Sequence, residues 1–174
     1  MSDEFPSSNS IVSRHRASNS SFRKQTKRMN KIVIFLYRFY VLPLFGIGKS
    51  MLVIETIGRK TGKKRRTPTL HNSFYTNKIT LYSARGKNAD WIRNIRAQKE
   101  QEIFVYKGFK RFRAKTIFVD EPEEKIKHLR FFCENYNGAK FVFGYNKKKH
   151  KDIFNTENFR LFAQTLEFVQ LVPT

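Results

Sequence analysis

The chain has 174 residues and carries 35 Lys and Arg against 14 Asp and Glu, a formal net charge of +21. This length fits one compact domain with a sizeable core, and an apolar content of 40% with 18 Phe excludes a chain that stays unfolded throughout. The single cysteine, Cys133, excludes an internal disulfide and a cysteine-cluster metal site. We therefore expect no metal and a reducing, cytoplasmic compartment. The surplus charge favours an anionic partner, which is nucleic acid, a phospholipid surface or a phosphorylated small molecule.

The N-terminal part divides into a polar tail and an apolar segment. Residues 1–30 are rich in Ser, contain six basic and two acidic residues, and are typical of a flexible basic tail. From Ile32 to Gly48 the sequence is almost wholly apolar, which predicts a helix of about 12 residues interrupted by Pro43. A transmembrane helix needs roughly 20 apolar residues. This helix is therefore expected either to pack on the core or to lie at a membrane interface, and residues 1–48 are a candidate for peripheral binding to an anionic membrane.

From residue 51 onward the pattern changes to short strands and amphipathic helices. Six strands are predicted, each bounded by turn residues: Met51–Ile57, Lys63–Tyr75, Ile79–Ala84, Glu102–Tyr106, Arg111–Val119 and Leu166–Val172. Three helices are predicted: Asp90–Ala97 with Asp90 as its N-cap, Asp120–Glu134 and Glu157–Gln164. Pro68 is expected at an edge or a bulge, because proline cannot donate to a ladder. Six strands without a βαβ repeat predict a mainly β fold, an antiparallel sheet or small barrel with peripheral helices.

The densest charge lies in the turn between the first two strands. Between Arg59 and Arg66, six of eight residues are basic. Arginine grips phosphate oxygens in pairs, lysine adds a mobile charge, Thr61 adds a hydroxyl, and Gly58 and Gly62 allow a tight turn. The pattern is suited to a phosphate-bearing small molecule, although a solvated hairpin tip or a nuclear-type address has the same composition.

A second segment, Ser83–Arg96, joins the end of a strand to the start of a helix. Unpaired N–H groups at such a junction favour an anion or an electron-rich ring edge. Trp91, Asn94 and Ile95 share one face of the helix, and its arginines share another. The alternative is that Trp91 anchors the core and the arginines are solvated. Elsewhere, the four histidines are scattered and Cys133 is expected to be an inert core thiol.

The two segments together resemble a known pattern. The first stands as Thr56-Ile57-Gly58-Arg59-Lys60-Thr61-Gly62 followed by Arg65 and Pro68, and the second as Asp90-Trp91-Ile92-Arg93-Asn94-Ile95. This pairing resembles the deazaflavin-dependent nitroreductase family, whose relatives include quinone reductases that use coenzyme F-420. The resemblance covers roughly residues 30–120.

The resemblance implies a split β-barrel, similar to proteins that bind flavin mononucleotide (FMN), in residues 31–174. It implies an oxidoreductase that passes hydride between coenzyme F-420 and a flat acceptor such as a quinone or nitroaromatic, with FMN as the alternative cofactor. The Gly-Arg-Lys loop would lie near the polyanionic tail of the coenzyme, and the Ser83–Lys87 loop near its ring. The implied coenzyme-binding residues are Arg59, Lys60, Thr61, Gly62, Arg65, Pro68, Ser83, Ala84, Arg85, Gly86, Lys87, Trp91, Asn94, Ile95 and Arg96.

The chain departs from the family near its last helix. Some relatives carry tyrosines there that face the substrate, whereas this chain has Phe154, Phe159 and Phe162. The candidate catalytic residues are therefore Ser83, Tyr136 and Tyr145. The rival hypotheses are a carrier of a deazaflavin, a flavin or a lipid on the same fold, and a nucleic-acid-binding protein; the second is disfavoured because most aromatics fall on apolar positions of strands and helices. Oligomerisation is compatible with the sequence.

Overall fold

The computed structural model describes residues 28, 30–35, 51–72, 78–83, 85–135 and 153–174. Six strands lie within these residues: β1 (Met51–Ile57), β2 (Lys64–Asn72), β3 (Ile79–Ser83), β4 (Glu102–Lys107), β5 (Lys110–Phe118) and β6 (Glu167–Pro173). Three α-helices are α1 (Asp90–Arg96), α2 (Pro122–Asn135) and α3 (Glu157–Thr165), and short 3-10 turns span Gly86–Asn88 and Ile153–Asn155. Residues 28 and 30–35 are also helical. The tail residues 1–27, most of the apolar segment, Ala84, Tyr136 and Tyr145 lie outside the described residues.

The six strands form one closed barrel in the order β1-β2-β3-β6-β5-β4. Every pairing is antiparallel, and the barrel closes where β4 returns to β1. Closure removes the exposed edges that an open sheet would present. The predicted mainly β fold, a split barrel of about six antiparallel strands with peripheral helices, is confirmed.

The barrel interior is filled by the inward-facing residues of alternate positions. On β5, Ala114 and Thr116 are buried while Arg111, Arg113 and Lys115 are exposed, so the predicted basic face is confirmed. Burial of each large aliphatic side chain stabilises the fold by roughly 1.5–3 kcal/mol. Helix α1 also packs on this barrel core, whose buried members are Leu52, Ile54, Leu81, Ala89, Trp91, Ile92, Ile95, Ile103, Val105, Ala114, Val169 and Leu171.

A second core lies outside the barrel, where α2 and α3 cover β3 and β6. Tyr82 on β3 packs with its ring centroid 4.8 Å from that of Phe132 on α2 and 5.3 Å from that of Phe168 on β6. Phe159 and Phe162 of α3 are fully buried in the same cluster. These two phenylalanines therefore fill the core beside the barrel.

The strand register defines two ends of the barrel. At one end β1 meets β2 through the pair Ile57–Lys64, and the intervening turn is the basic Gly58–Lys63 segment; we call this the loop end. At the other end Val53 pairs with Tyr106, beyond which β4 turns into β5; we call this the hairpin end. The two turns thus lie at opposite ends of the barrel.

Two details of the predicted elements change in the structure. Asp90 is not the N-cap of α1: Ala89 holds that position, with no side-chain capping bond, and Asp90 is the first helical residue. Its carboxylate instead accepts a hydrogen bond from Arg59 at 3.4 Å, which still places negative charge in the first turn of the helix. The second strand is described as far as Asn72 rather than Tyr75, because the following residues lie outside the described range.

Candidate functional site

The pairing between β2 and β3 is short. These strands pair only at His71–Leu81 and Asn72–Thr80 within the described residues, although β2 stays paired with β1 back to Lys64. Just beyond the paired region, the Thr69 hydroxyl donates to the Tyr82 carbonyl at 3.4 Å. The first half of β2, which reaches the loop end, therefore has an edge that the β3 ladder does not cover; we call this gap in the pairing the opening.

The position of Pro68 agrees with this opening. It pairs with Val53 of β1 and lies in the part of β2 that has no ladder partner on β3 within the described residues. A proline is tolerated there because its missing N–H breaks no ladder bond on that side. The predicted edge position is confirmed. Because side chains alternate along a strand, Pro68 projects from the opposite face of β2 to Arg65.

The basic turn has a compact backbone. The Gly58 N–H donates to the Lys63 carbonyl at 2.9 Å, and the Gly62 N–H donates to the Gly58 carbonyl at 2.8 Å. Gly62 adopts a φ of +63°, a left-handed conformation that glycine takes without strain. Lys60, Thr61 and the residues that follow them in the turn are exposed. The turn therefore holds its cations out at the loop end of the barrel.

Asn94 joins this turn to helix α1. Its side-chain carbonyl accepts from the backbone N–H of Arg59 at 3.3 Å and from the Arg59 guanidinium at 3.2 Å, while its amide donates to the Thr56 hydroxyl at 3.2 Å. Asn94 is buried, and Thr56 is only 1% exposed. The two sequence motifs, 35 residues apart along the chain, are thus held together by one amide group.

Replacing Asn94 with alanine is expected to lower the free energy of unfolding by about 2 kcal/mol, because buried partners lose hydrogen bonds that water cannot replace. Urea denaturation measures this change. Asn158→Ala, at an exposed position of α3, is the matched control and should alter stability by no more than about 0.5 kcal/mol. Equal stability of the two variants would contradict the bridging role of Asn94.

The cations around the loop end fall into two groups. Arg59, Arg66 and Arg96 each pair with a carboxylate, at distances of 3.4, 2.8 and 2.9 Å. Lys60, Lys63 and Arg65 have no carboxylate partner within the described part of the chain, and all three are exposed. The paired arginines hold the fold together, whereas Lys60 and Arg65 present charge that the described part of the protein does not neutralise.

Arg96 belongs to a charged cluster that connects α1 to the rest of the fold. Its guanidinium lies 2.9 Å from the Glu167 carboxylate and 3.8 Å from that of Asp120, and it stacks 4.0 Å above the ring of Phe118. Glu167 is fully buried, and its second oxygen lies 3.7 Å from the buried ammonium of Lys125. Burial of a carboxylate is favourable only with such partners. Arg96 therefore fixes the end of α1.

The loop after β3 is held in place by a hydrogen bond within the loop and by packing on α3. The buried Ser83 hydroxyl donates to the Gly86 carbonyl at 3.2 Å. Gly86 has a φ of +51° and packs so closely on α3 that a Cβ atom would overlap the Thr165 carbonyl oxygen. Arg85 and Lys87 on the same loop are exposed. The serine hydroxyl therefore stabilises this loop, in which position 86 accepts only glycine without steric overlap.

The structure also shows a site that the sequence analysis missed. Glu55 lies on the outer face of β1, where Arg66 donates to its carboxylate at 2.8 Å and Tyr106 donates at 3.2 Å. Burial raises the pKa of Glu55, but these two hydrogen bonds and the nearby positive charges outweigh burial, so the pKa is lowered. The bond to Glu55 raises the pKa of Arg66. In the sequence, Glu55 is the single acidic residue between Met51 and Tyr75. This signal could have identified Glu55 as unusual, but it does not indicate which residues it pairs with.

Since the pKa of Glu55 is lower in the folded protein than in the unfolded chain, its charged form stabilises the fold. This contribution is complete above the unfolded glutamate pKa of about 4.3 and is lost as pH falls through the folded value. Glu55→Gln should therefore be less stable than the wild type at pH 7, and the difference should shrink below about pH 4.3. Unfolding curves at a series of pH values measure this. Glu134→Gln, which removes an exposed pair on α2, should show a small difference at every pH; a constant deficit for Glu55→Gln would contradict the linkage.

Apart from Pro68, Ser83 and Gly86, described above, and Ala84, the predicted site residues occupy three kinds of position. Arg59, Asn94 and Arg96 are joined to partners that hold the loop end together, as described above. Trp91 and Ile95 are buried in the barrel core, so the core-anchor interpretation of Trp91 is confirmed. The positions that remain exposed are Lys60, Thr61, Gly62, Arg65, Arg85 and Lys87.

The fold and this site define a split β-barrel protein. Its basic turn lies next to the part of β2 that does not pair with β3 in the described residues. Residues 40–141 match the sequence profile of the family described as F420H(2)-dependent quinone reductase, more than half of the chain, and the protein belongs to this family. It is a deazaflavin-dependent reductase, and its cofactor is coenzyme F-420.

Solved structures offer more distant likenesses. An F420-H2-dependent reductase is 17% identical, with a TM-score of 0.46 over 71% of this chain and 95% of that chain. An FMN-binding protein from Nostoc punctiforme, related to pyridoxamine 5'-phosphate oxidase, is 11% identical, with a TM-score of 0.49 over 82% of this chain and 78% of that one. No curated protein matches the sequence. Within the described residues, no helix is long and apolar enough to cross a membrane.

The residues at the loop end fit the coenzyme. Its phosphodiester and oligoglutamate tail are polyanionic, and Lys60 and Arg65 are exposed cations with no carboxylate partner in the described part of the chain. Thr61 adds an exposed hydroxyl between them. Cations of this kind are the groups that bind phosphate and carboxylate oxygens most strongly.

Proposed function

We propose that the protein reduces a flat acceptor, such as a quinone or a nitroaromatic compound, with hydride supplied by reduced coenzyme F-420. The observation that carries this proposal is the adjacency of the uncovered edge of β2 and two exposed cations, Lys60 in the basic turn and Arg65 on β2, that lack carboxylate partners in the described residues. The opening runs along the first half of β2, and the turn precedes that strand directly. A flat ring system can lie against the strand edge while an anionic tail extends over the turn.

Lys60, Thr61, Gly62 and Arg65 are proposed to bind the tail of the coenzyme. Arginine contributes paired N–H donors and lysine a mobile charge, so together they suit both phosphate and carboxylate groups. Arg59 acts through another group: its guanidinium is bonded to Asp90 and Asn94, so it positions the turn. This division assigns coenzyme affinity to Lys60 and Arg65 and the geometry of the turn to Arg59.

The ring side of the site is proposed to include Pro68 and the loop that follows β3. Gly86 keeps this loop against α3, and the exposed Arg85 and Lys87 place positive charge beside the opening. Positive charge there would favour the developing anion of a reduced ring or acceptor. Ala84, which the family resemblance also places at the ring, stays a prediction.

Of the three candidate catalytic residues, Ser83 lies within the described residues. The Ser83 hydroxyl donates to the Gly86 carbonyl and is buried, an arrangement that supports a positioning role. Tyr136 and Tyr145 remain the predicted tyrosine candidates. A pH profile of turnover for Tyr136→Phe and Tyr145→Phe would identify a donor by the loss of its ionisation.

Titration of the purified protein with coenzyme F-420 and with FMN, followed by fluorescence, tests the cofactor. Oxidation of reduced coenzyme is then followed by absorbance with a quinone and with a nitroaromatic compound. Tight binding of coenzyme F-420 and acceptor-dependent oxidation are the expected results. Binding without oxidation by either acceptor would indicate a carrier instead of an enzyme, and absence of binding would overturn the proposed site.

A further inference from the structure

A buried carboxylate lies at the loop end, where α1, the end of α3 and the loop after β3 come together. Glu167 is the first residue of β6 and is fully buried. In the strand register it lies opposite Ser83, the last residue of β3. Side chains that lie opposite each other on antiparallel strands share one face of the sheet. Glu167 is therefore directly beside the start of the loop that is proposed to face the coenzyme ring.

The two oxygens of Glu167 interact with different elements. Oε2 accepts a hydrogen bond from Arg96, at the end of α1, at 2.9 Å. Oε1 accepts no hydrogen bond within the described residues. The ammonium of Lys125 on α2 lies 3.7 Å from Oε1, a distance that allows charge attraction but is too long for a hydrogen bond. Because a buried oxygen without a donor is costly, a well-packed apolar residue would serve stability equally well at this position.

Lys125 connects Glu167 to the end of α3. The lysine is buried, and its ammonium donates a hydrogen bond to the Leu166 carbonyl at 3.3 Å. Leu166 is the C-cap of α3, and its own N–H donates to the Ala163 carbonyl at 3.2 Å. One ammonium thus holds the segment that leads from α3 into β6, by a hydrogen bond to Leu166 and by attraction to Glu167.

The same segment is in contact with the loop after β3. The Thr165 carbonyl oxygen lies so close to Gly86 that an added Cβ atom would overlap it. The Gly86 carbonyl in turn accepts from the Ser83 hydroxyl at 3.2 Å and from the Ala89 N–H at 3.2 Å. Protein interiors are close-packed and transmit small shifts. A displacement of the end of α3 therefore moves Gly86 and the loop that contains it.

We propose that Glu167 and Lys125 form a positioning pair for hydride transfer. Glu167 holds the end of α1 through Arg96 and, through Lys125, the end of α3 on which the loop after β3 packs. The pair thereby fixes the distance between α1 and that loop, and it acts on the reaction through them without touching coenzyme or acceptor. Misplacement of reacting groups by about 1 Å is enough to slow a reaction strongly. The inference rests on the proposed function, which places this loop beside the ring.

Steady-state kinetics of Lys125→Met in the full chain test the pair. This change keeps most of the apolar stem and removes the ammonium. Turnover at saturating coenzyme F-420 should fall about tenfold, whereas the Kd of the coenzyme should rise by less than about threefold, because Lys60 and Arg65 are unchanged. Lys127→Met is the matched control, since it removes an exposed cation of α2 that pairs with Glu124. It should leave both quantities unchanged.

A double-mutant cycle shows whether the two residues act as one unit. Glu167→Gln keeps the shape of the side chain and should also lower turnover about tenfold, and Lys125→Met/Glu167→Gln should lower it by about the same factor. A loss of about 100-fold in the double variant, the product of the single losses, would show independent effects and overturn the proposal. The double variant also serves if Lys125→Met does not fold, because it leaves no buried carboxylate without its cation.

Hydrogen exchange without coenzyme tests the positioning itself. The N–H groups of Asn88 and Ala89 bond to the carbonyls of Arg85 and Gly86 at 3.1 and 3.2 Å, and in these variants they should exchange faster while the amides of β1 and β4 keep their rates. Unchanged exchange in the loop, or equally faster exchange throughout the barrel, would overturn the proposal. If the wild type oxidised no reduced coenzyme with a quinone or a nitroaromatic compound, the proposed function would fail instead, and the exchange rates keep the two failures apart.

Discussion

The double variant Lys60→Ala/Arg65→Ala is expected to bind coenzyme F-420 at least about 100-fold more weakly than the wild type. Each charge-assisted hydrogen bond contributes roughly 1.5–3 kcal/mol, and about 1.4 kcal/mol corresponds to a factor of ten in affinity. Turnover at saturating coenzyme should change by less than about threefold, because these groups bind the tail equally in the ground state and the transition state. Fluorescence titration gives the affinity, and steady-state kinetics give the turnover.

A matched variant separates the effect of net charge on coenzyme affinity from the effect of where the cations lie. Lys78→Ala/Arg160→Ala removes two positive charges directly before β3 and on α3, away from the basic turn. It should lower coenzyme affinity by less than about threefold, through long-range attraction that salt screens. Similar losses in the two double variants would show that the protein attracts the coenzyme by net charge, and the assigned tail site would be wrong.

Gly86→Ala is expected to lower the free energy of unfolding by about 3 kcal/mol or more, the largest single-residue effect on stability. The added Cβ would overlap the Thr165 carbonyl oxygen, a backbone atom that can move only with the end of α3. The φ of +51° adds strain for any residue with a side chain. Denaturant unfolding measures the loss. Coenzyme affinity should fall as well, because the Ser83 hydroxyl is bonded to this residue.

Gly108→Ala separates the effect of steric overlap on stability from the effect of backbone strain. Gly108 has a similar φ of +58°, but no atom lies within 4 Å of the position that an added Cβ would take. Its replacement should cost only about 1–2 kcal/mol, the penalty of the left-handed conformation. If both variants lost the same stability, the contact between Gly86 and α3 would not restrict that loop.

The two groups of cations explain why a basic sequence can build an ordered site. Arg59 and Arg96 are fixed by Asp90, Asn94 and Glu167, and they in turn fix the basic turn and α1. Pairing removes most of their attraction for an outside anion. Lys60 and Arg65 keep theirs, because the fold supplies them with no carboxylate in the described residues. Lys60 and Arg65 are therefore expected to provide affinity for the coenzyme, whereas Arg59 and Arg96 make the site rigid.

The sequence alone determined the elements and the class of the fold. Alternation of apolar and basic residues in Arg111–Val119 identified a strand with a basic face, and the absence of a βαβ repeat predicted antiparallel pairing. The paired motifs around Gly58 and Trp91 indicated the family and its coenzyme. The strand pattern depends on neighbours within a few residues along the chain, and periodicity expresses it directly. The family and its coenzyme follow instead from the resemblance of the two motifs.

The tertiary structure alone decided which charged groups neutralise one another. Glu55 meets Arg66 through strand register, and Glu167 meets Arg96 across 71 residues of sequence. A shift of one residue in register would turn Glu55 to the other face of the sheet, and no local pattern fixes that register. The gap in the pairing of β2 with β3 also depends on register, because β3 ends at Ser83 and leaves the first half of β2 without ladder partners in the described residues. The sequence therefore shows which residues are cations, whereas the packing of the barrel determines which of these cations have a carboxylate partner and which can bind a ligand.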